Sequence, residues 1–187
     1  TGSNILIGGP NPGEANVISG NSGNAINFNV GSNNRIESNL IGTNATGTAA
    51  IPNGTGVNFG TDGGHQVINN IISGNSVRGI GFNNGGSITF HGNKIGVGAN
   101  GTDPIPNNRG IASWTFLGGA NNVIGGIGVG ESNIIAHNTN QGIYFSYASN
   151  INNSIINNSI FSNGGKGIDL EGTGNNNKAA PEITDYG

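Results

Sequence analysis

The chain has 187 residues, of which only 8% are charged, and its formal net charge is −3. That length fits one domain, and so sparse a charge excludes a nucleic-acid surface, which needs clustered Lys and Arg, and a polybasic membrane patch. With no Cys and no Met, disulfide staples, zinc–thiolate sites and cysteine nucleophiles are excluded, and no apolar run approaches the roughly 20 residues that span a bilayer.

The pattern is already running at Thr1, with no leader-like run ahead of it, as in a mature chain or an excised piece of a larger one. Gly is abundant at 37 residues, Asn is about as frequent, and Ile and Val recur between them. Both Gly and Asn tolerate the left-handed backbone of tight turns. The composition therefore reads as many turns separated by short apolar strands, not as disorder.

Two phrases alternate along the chain. The first is Asn-x-Ile-x-x-Asn, as in Asn16–Asn21, Asn70–Asn75 and Asn133–Asn138, with a looser version at Asn153–Asn158. The second is a small residue, an aliphatic, any residue and a bulky apolar residue. It runs Ala25-Ile26-Asn27-Phe28, Gly56-Val57-Asn58-Phe59, Gly79-Ile80-Gly81-Phe82, Gly110-Ile111-Ala112-Ser113, Gly142-Ile143-Tyr144-Phe145 and Gly167-Ile168-Asp169-Leu170. In the fourth copy Ser113 stands where a bulky residue is expected, and a one-residue bulge would bring Trp114 into its place. The aliphatic advances by 31, 23, 31, 32 and 25 residues. A shared insertion explains the longer steps: Ile41–Asn53 and Ile95–Asn107 agree at Gly, Ala, Gly, Thr, Ile, Pro and Asn. A second internal match links Asn4–Asn21 with Asn121–Asn138, both carrying Ile-Gly-Gly, then Gly-Glu.

Apolar residues two apart share one face of a strand, and the phrases are too short and too Gly-broken for helices. One coil cannot bury its apolar face alone, but stacked coils can. The expectation is a single all-β domain over residues 1–187, a parallel β-helix of six to seven coils and roughly 30 Å at about 4.8 Å per coil. Phe28, Phe59, Phe82 and Phe145 should stack inside it. Asn21, Asn75, Asn138 and Asn163 should lie at turns, bonding the backbone of neighbouring coils. A sandwich or propeller would need hairpin turns every 8–12 residues or blade periods near 40–45, and neither is present.

The tandem Asn-x-Ile-x-x-Asn and Gly-Ile-x-Phe phrases, with Ile-Gly-x-x-Ala-x-Gly-Thr loops between them, resemble the right-handed parallel β-helix repeat proteins of bacteria, in the pectin-lyase-like superfamily. Ile-Gly-Gly…Gly-Glu-x-Asn-x-Ile and Ile41–Thr48 resemble a subgroup found in large secreted multi-domain surface proteins. Gly167–Leu170 with Ala180–Ile183 resembles the end of that repeat region. The resemblance implies a single-stranded right-handed solenoid and an extracellular or cell-surface location. It leaves open lyases, hydrolases and epimerases on one side and tailspikes, adhesins and stalks on the other.

The nine acids, Glu14, Glu37, Asp62, Asp103, Glu131, Asp169, Glu171, Glu182 and Asp185, include no Asp-Asp pair. Glycoside hydrolysis needs two carboxylates about 5–9.5 Å apart. Glu14 and Glu131 are equivalent but four coils, about 19 Å, apart, so each is read as fixing its own Gly-rich loop. Asp169 and Glu171 lie two apart and face outward. They are the candidates for a Ca²⁺ site, against a solvated strand face. His65, His91 and His137 have no metal-like spacing and are placed at turns. Trp114, Phe116, Tyr144 and Tyr147 are least explained by the core pattern, and Trp114, Tyr144 and Tyr147 are candidates for stacking on sugar rings. The loops Thr43–Asn53 and Val97–Asn107 should project from one edge, as partner-binding loops or packed onto the rod. Scattered threonines do not form an ice-binding array. Open strand edges are templates for pairing, and no amphipathic capping helix is read at either terminus. The expected partners are therefore copies of the chain or adjacent modules through its ends, with polysaccharide as the other candidate. The leading reading is a non-catalytic structural or adhesive module; a polysaccharide-active enzyme or carbohydrate-binding module of the same fold is the alternative.

Overall fold

The structure, a computed structural model, describes residues 2–113 and 119–171. The first coil contains β1 (Leu6–Gly8), β2 (Val17–Ile18) and β3 (Asn24–Phe28), and the same triplet returns five times. The second coil has β4 (Arg35–Glu37), β5 (Leu40–Ile41) and β6 (Thr55–Phe59); the third has β7 (Gln66–Ile68), β8 (Ile71–Ile72) and β9 (Arg78–Phe82). The fourth has β10 (Thr89–His91), β11 (Lys94–Ile95) and β12 (Arg109–Ser113); the fifth has β13 (Val123–Gly125), β14 (Ile134–Ala136) and β15 (Ile143–Phe145). The sixth has β16 (Ser154–Ile156), β17 (Ser159–Phe161) and β18 (Ile168–Leu170).

Each strand pairs in parallel with its equivalents in the coils before and after, giving three six-stranded sheets. In the third sheet the register runs Ile26–Val57–Ile80–Ile111–Ile143–Ile168. These inward columns, with Ile36, Val67, Phe90 and Ile124 of the first sheet and Ile41, Ile72, Ile95 and Ile135 of the second, form one continuous buried core. The all-β solenoid of about six coils read from the repeat is thus the observed architecture.

The corners are held by side-chain amides. At the first corner, between the first and second sheets, Asn16, Asn39, Asn70, Asn93, Asn133 and Asn158 stack. Each Nδ2 donates to the Oδ1 of the next coil's Asn at 2.8–3.1 Å. At the second corner Asn21, Asn53, Asn75, Asn107, Asn138 and Asn163 do the same at 2.9–3.0 Å. The inner rungs are buried and bond turn carbonyls as well. The Asn70 amide also donates to the carbonyls of Ile36 and Ile68, both at 2.9 Å.

The third corner is mixed, and here one expectation needs correction. Its column runs through Asn34, His65, Ile88, Asn122 and Asn153. His65 lies at this corner, where the sequence placed a turn, and is fully buried, its ring stacking with those of Phe28 and Phe59 at 5.6 and 4.8 Å. Its Nδ1 accepts the Asn34 N–H at 3.3 Å, doing the work of an Asn Oδ1. The Phe column is not one continuous stack. Phe28 and Phe59 stack at 5.8 Å, whereas Phe82 meets Phe145 edge-on at 5.7 Å, across the coil where buried Ser113 replaces the aromatic. Phe90 of the first sheet, 6.1 Å from Phe82, helps fill that level. Trp114, expected to fill it through a bulge, lies outside the described residues.

The two matched loops fold back instead of projecting. Each closes with an antiparallel bridge, Thr43–Ala50 and Val97–Pro104, and lies over the outer face of the second sheet. Gly47 rests on Leu40 and Ile71, and Gly101 on Ile134 and Lys94. The loops join each other through Ala99 N–H donating to Gly47 O at 2.9 Å. They are a roof over apolar strand residues.

Two stability experiments follow from the corners. Asn70→Ala leaves buried backbone groups in coils two and three, and the Asn93 side-chain oxygen in coil four, short of a partner, so urea denaturation should show a loss of about 3 kcal/mol, against under about 1 kcal/mol for Asn16→Ala on the exposed first rung. Equal losses would show that the inner rungs carry no special load. Burial holds His65 below its ordinary imidazole range, with Asp62 opposing weakly. Its unfolded form therefore binds the proton more readily, so stability is full above about pH 6.5 and falls as pH drops through that value. His65→Asn should flatten that part of the urea-midpoint profile between about pH 7 and 5; an unchanged slope would assign acid sensitivity elsewhere.

Candidate functional site

The outer face of the third sheet carries a run of polar side chains that the corners do not use. Its outward column is Asn27, Asn58, Gly81, Ala112, Tyr144 and Asp169. Beside it, Thr55, Arg78 and Arg109 are in register. The two arginines thus occupy neighbouring coils, and each reaches away from the other. Arg78 lies flat over Gly81, where any side chain would collide with the guanidinium, and its Nη2 donates to Asn58 Oδ1 at 3.5 Å. Asn58 donates to Asn27 Oδ1 at 3.0 Å, and Asn27 to Asn29 Oδ1 at 3.0 Å. In the other direction Arg109 Nε donates to Gln141 Oε1 at 2.6 Å, and Gln141 Nε2 to Asp169 Oδ2 at 3.2 Å. Lys166 closes that chain on Asp169 Oδ1 at 2.9 Å. Burial, followed by the neighbouring Arg109 charge, pushes Arg78 below its ordinary range.

A cleft of about 390 Å³ opens at the C-terminal half of this face, lined by Arg109, Tyr144, Ser146, Tyr147 and Glu171. The Arg109 guanidinium sits 4.9 Å from the centre of the Tyr144 ring, a cation–π arrangement. The Tyr144 hydroxyl donates to Glu171 Oε2. Burial, and then Glu171, push the Tyr144 hydroxyl up to about 12. Tyr144 is therefore a neutral donor and an aromatic surface at ordinary pH, and a poor base.

The fold brings together Tyr144, Tyr147 and Glu171 of the residues singled out in the sequence. Trp114 and Phe116 lie outside the described residues. Asp169 pairs with Tyr144 from the next coil, its two oxygens engaged by Lys166 and Gln141, and Glu171 is engaged by Tyr144. Among the described residues no group of three or more His, Asp or Glu is placed to hold a metal ion. Glu14 accepts from Asn11 N and Nδ2 at 3.0 and 2.9 Å, and these bonds draw its carboxyl below the usual range. Glu131 accepts from Gly128 N at 2.8 Å. Each glutamate clamps its own loop, as read from the duplicated phrase. Arg78 and Arg109 were hidden among basic residues that look scattered in sequence. Their signal was the repeated Arg-Gly-Ile at 78–80 and 109–111.

Because the Tyr144 hydroxyl is held high, its ionisation also bears on stability. The unfolded chain releases that proton near the ordinary value of about 10, so stability falls as pH rises through about 10 toward 12. Ultraviolet titration should show a tyrosinate step near pH 12 that disappears in Tyr144→Phe and moves to lower pH in Glu171→Gln. A step unmoved by Glu171→Gln would rule out the Tyr144–Glu171 bond.

Comparison with curated proteins gives no match, and comparison with solved structures gives none either. A family model described as a right-handed β-helix region matches residues 12–181, nearly the whole chain, in agreement with the three parallel sheets. The chain belongs to the right-handed β-helix family.

Proposed function

We propose that this chain is a non-catalytic structural and adhesive module, acting outside the cell or at its surface and joining copies or neighbouring modules through its coil ends. The observation that carries the reading is the dispersal of its acids. Glu14, Glu37, Asp62, Glu131, Asp169 and Glu171 are each bonded to a different partner, which supports a structural use for these carboxylates over the paired roles of glycoside hydrolysis. The ends support the joining role. Leu6 and Val17 on the first coil are 55% and 49% exposed, and Ile156 and Phe161 on the sixth are 40% and 41% exposed, next to strand edges that can pair. The extracellular placement rests on the resemblance to repeat regions of secreted bacterial surface proteins.

The Arg109–Tyr144 cleft favours a second reading, a carbohydrate-binding module, because an aromatic face beside a guanidinium and hydroxyls suits a sugar ring. An enzyme of the same fold is the third.

Incubation with a panel of polysaccharides, including polyuronides, should release neither unsaturated products nor new reducing ends; catalytic release above a boiled control sinks the non-catalytic reading. On a glycan array, binding that Tyr144→Ala abolishes would establish the second reading for the cleft, and an array blank for the intact chain would remove it.

A further inference from the structure

We infer that Asn84–Gly85, at the third corner between coils three and four, is a self-modification site, where the Gly85 main-chain nitrogen attacks the Asn84 side-chain amide and converts Asn84 to aspartate and isoaspartate. The bond from Gly85 N to Asn84 Cγ forms and the Cγ–Nδ2 bond breaks. Nδ2 leaves as ammonia, carrying the proton that the main-chain N–H gives up. Water then opens the cyclic imide. Opening at Cγ yields aspartate; opening at the Asn84 main-chain carbonyl yields isoaspartate, whose chain runs on through Cβ and Cγ. Water is the only co-reactant. Glycine after the asparagine leaves the attacking nitrogen unshielded, because it has no side chain.

The sequence holds four such pairs, Asn53–Gly54, Asn84–Gly85, Asn100–Gly101 and Asn163–Gly164. Attack needs a free main-chain N–H and a side chain free to swing over it, and the fold denies these to three of the four. Asn53 is 1% exposed. Its amide donates to Ile18 O at 3.0 Å and Asn75 Oδ1 at 2.9 Å, and the Gly54 N–H is shared between Asn21 O and Gly23 O at 3.0 and 2.9 Å. The Asn163 amide donates to Ile135 O at 3.0 Å, and the Gly164 N–H to Asn138 O at 2.8 Å. Asn100 Oδ1 accepts the N–H groups of Thr102 and Asp103, both at 3.0 Å, and the Gly101 N–H donates to Gly98 O at 2.9 Å. Asn84 is exposed. Among the described residues, neither its side chain nor the Gly85 N–H has a hydrogen-bond partner.

The corner itself creates the reactive pair. A Cβ at Gly85 would lie 2.7 Å from the Asp62 carbonyl oxygen of the preceding turn, so packing favours glycine there. Asn84 contributes only main chain to the corner. Its N–H donates to Gly60 O at 2.8 Å, beside the Asn83 N–H on Phe59 O at 3.0 Å, and the Ser87 N–H on Ala120 O at 2.9 Å anchors the far side. The reacting atoms are thus left free between anchored points. Each conversion adds one negative charge to a formal net charge of −3, and the isoaspartate form lengthens the main chain between those anchors.

The test incubates the folded chain and a sample in urea side by side at mildly alkaline pH until the urea sample has reacted. The four pairs fall in four different tryptic peptides, Asn84 in Gly79–Lys94, so mass spectrometry reads each rate separately. In the folded chain the Asn84 peptide should gain the mass of an amide turned to an acid, in two chromatographic forms, about tenfold or more faster than the other three. In urea the four rates should converge. Asn84→Gln keeps the main-chain bonds, and its longer side chain closes the ring far more slowly, so the acidic species on native isoelectric focusing should disappear. Asn84 unchanged in the folded chain, another of the pairs keeping pace with it there, or an undiminished acidic species in Asn84→Gln would each overturn the inference. The same spread of rates in urea would also overturn it, by assigning the selectivity to local sequence instead of the fold.

Discussion

The structure depends on how the corners satisfy the backbone. A coil that turns three times in as few as 23 residues leaves N–H and C=O groups at each corner that the sheets cannot pair, and burying them unpaired costs about 1–3 kcal/mol each. The asparagine amide meets both needs at one position. Its Oδ1 takes the main-chain N–H of the Asn in the preceding coil, as Asn70 does for Asn39 at 2.9 Å, and its Nδ2 takes carbonyls in its own and the preceding coil. Because the same group also donates to the next Asn, satisfying one corner aligns the following one. The Ile and Phe columns then fall into register without further instruction.

That arrangement explains where the chain tolerates extra length. The residue just before a first-corner rung is left-handed in the tight coils, as at Ser38, Asn69, Gly92 and Asn157. Insertions enter beside a rung, not within a strand: the Gly-Glu loops at the first corner and the Thr43–Ala50 and Val97–Pro104 loops at the second. The latter lie on the one sheet whose outward residues, Leu40, Ile71 and Ile134, are aliphatic, so added chain covers apolar surface. Coil length varies while coil geometry does not, because the rungs on either side of the insertion remain bonded.

The fold was legible in sequence because the ladder leaves one letter per corner per coil, and Asn-x-Ile-x-x-Asn contains both corner rungs and an inward residue between them. The third corner was not legible, since His65 and Ile88 interrupt it and share no letter with Asn34, Asn122 and Asn153. Nor was the role of His65, which depends on Phe28 and Phe59 arriving from other coils. The cleft was half legible: Tyr144 stood out as an outward aromatic between Ile143 and Phe145. Arg109 did not, because its position relative to Tyr144 depends on a register 35 residues long in sequence and one coil long in space.

The position of that cleft follows from a like-charge conflict. Register sets Arg78 directly beside Arg109, where two guanidiniums repel, yet neither leaves the sheet. Arg78 turns back toward coil two and Asn58, while Arg109 turns forward toward Gln141 and the Tyr144 ring. Each then orders the polar residues on its own side, so the face divides into an amide chain over coils one to three and a charged chain over coils four to six. The second combines acids and aromatics around an open volume of about 390 Å³. Exchanging the arginine of either coil for a neutral residue would remove the reason for the division. The cleft is thus a product of the pair, although only one of its two arginines lines it.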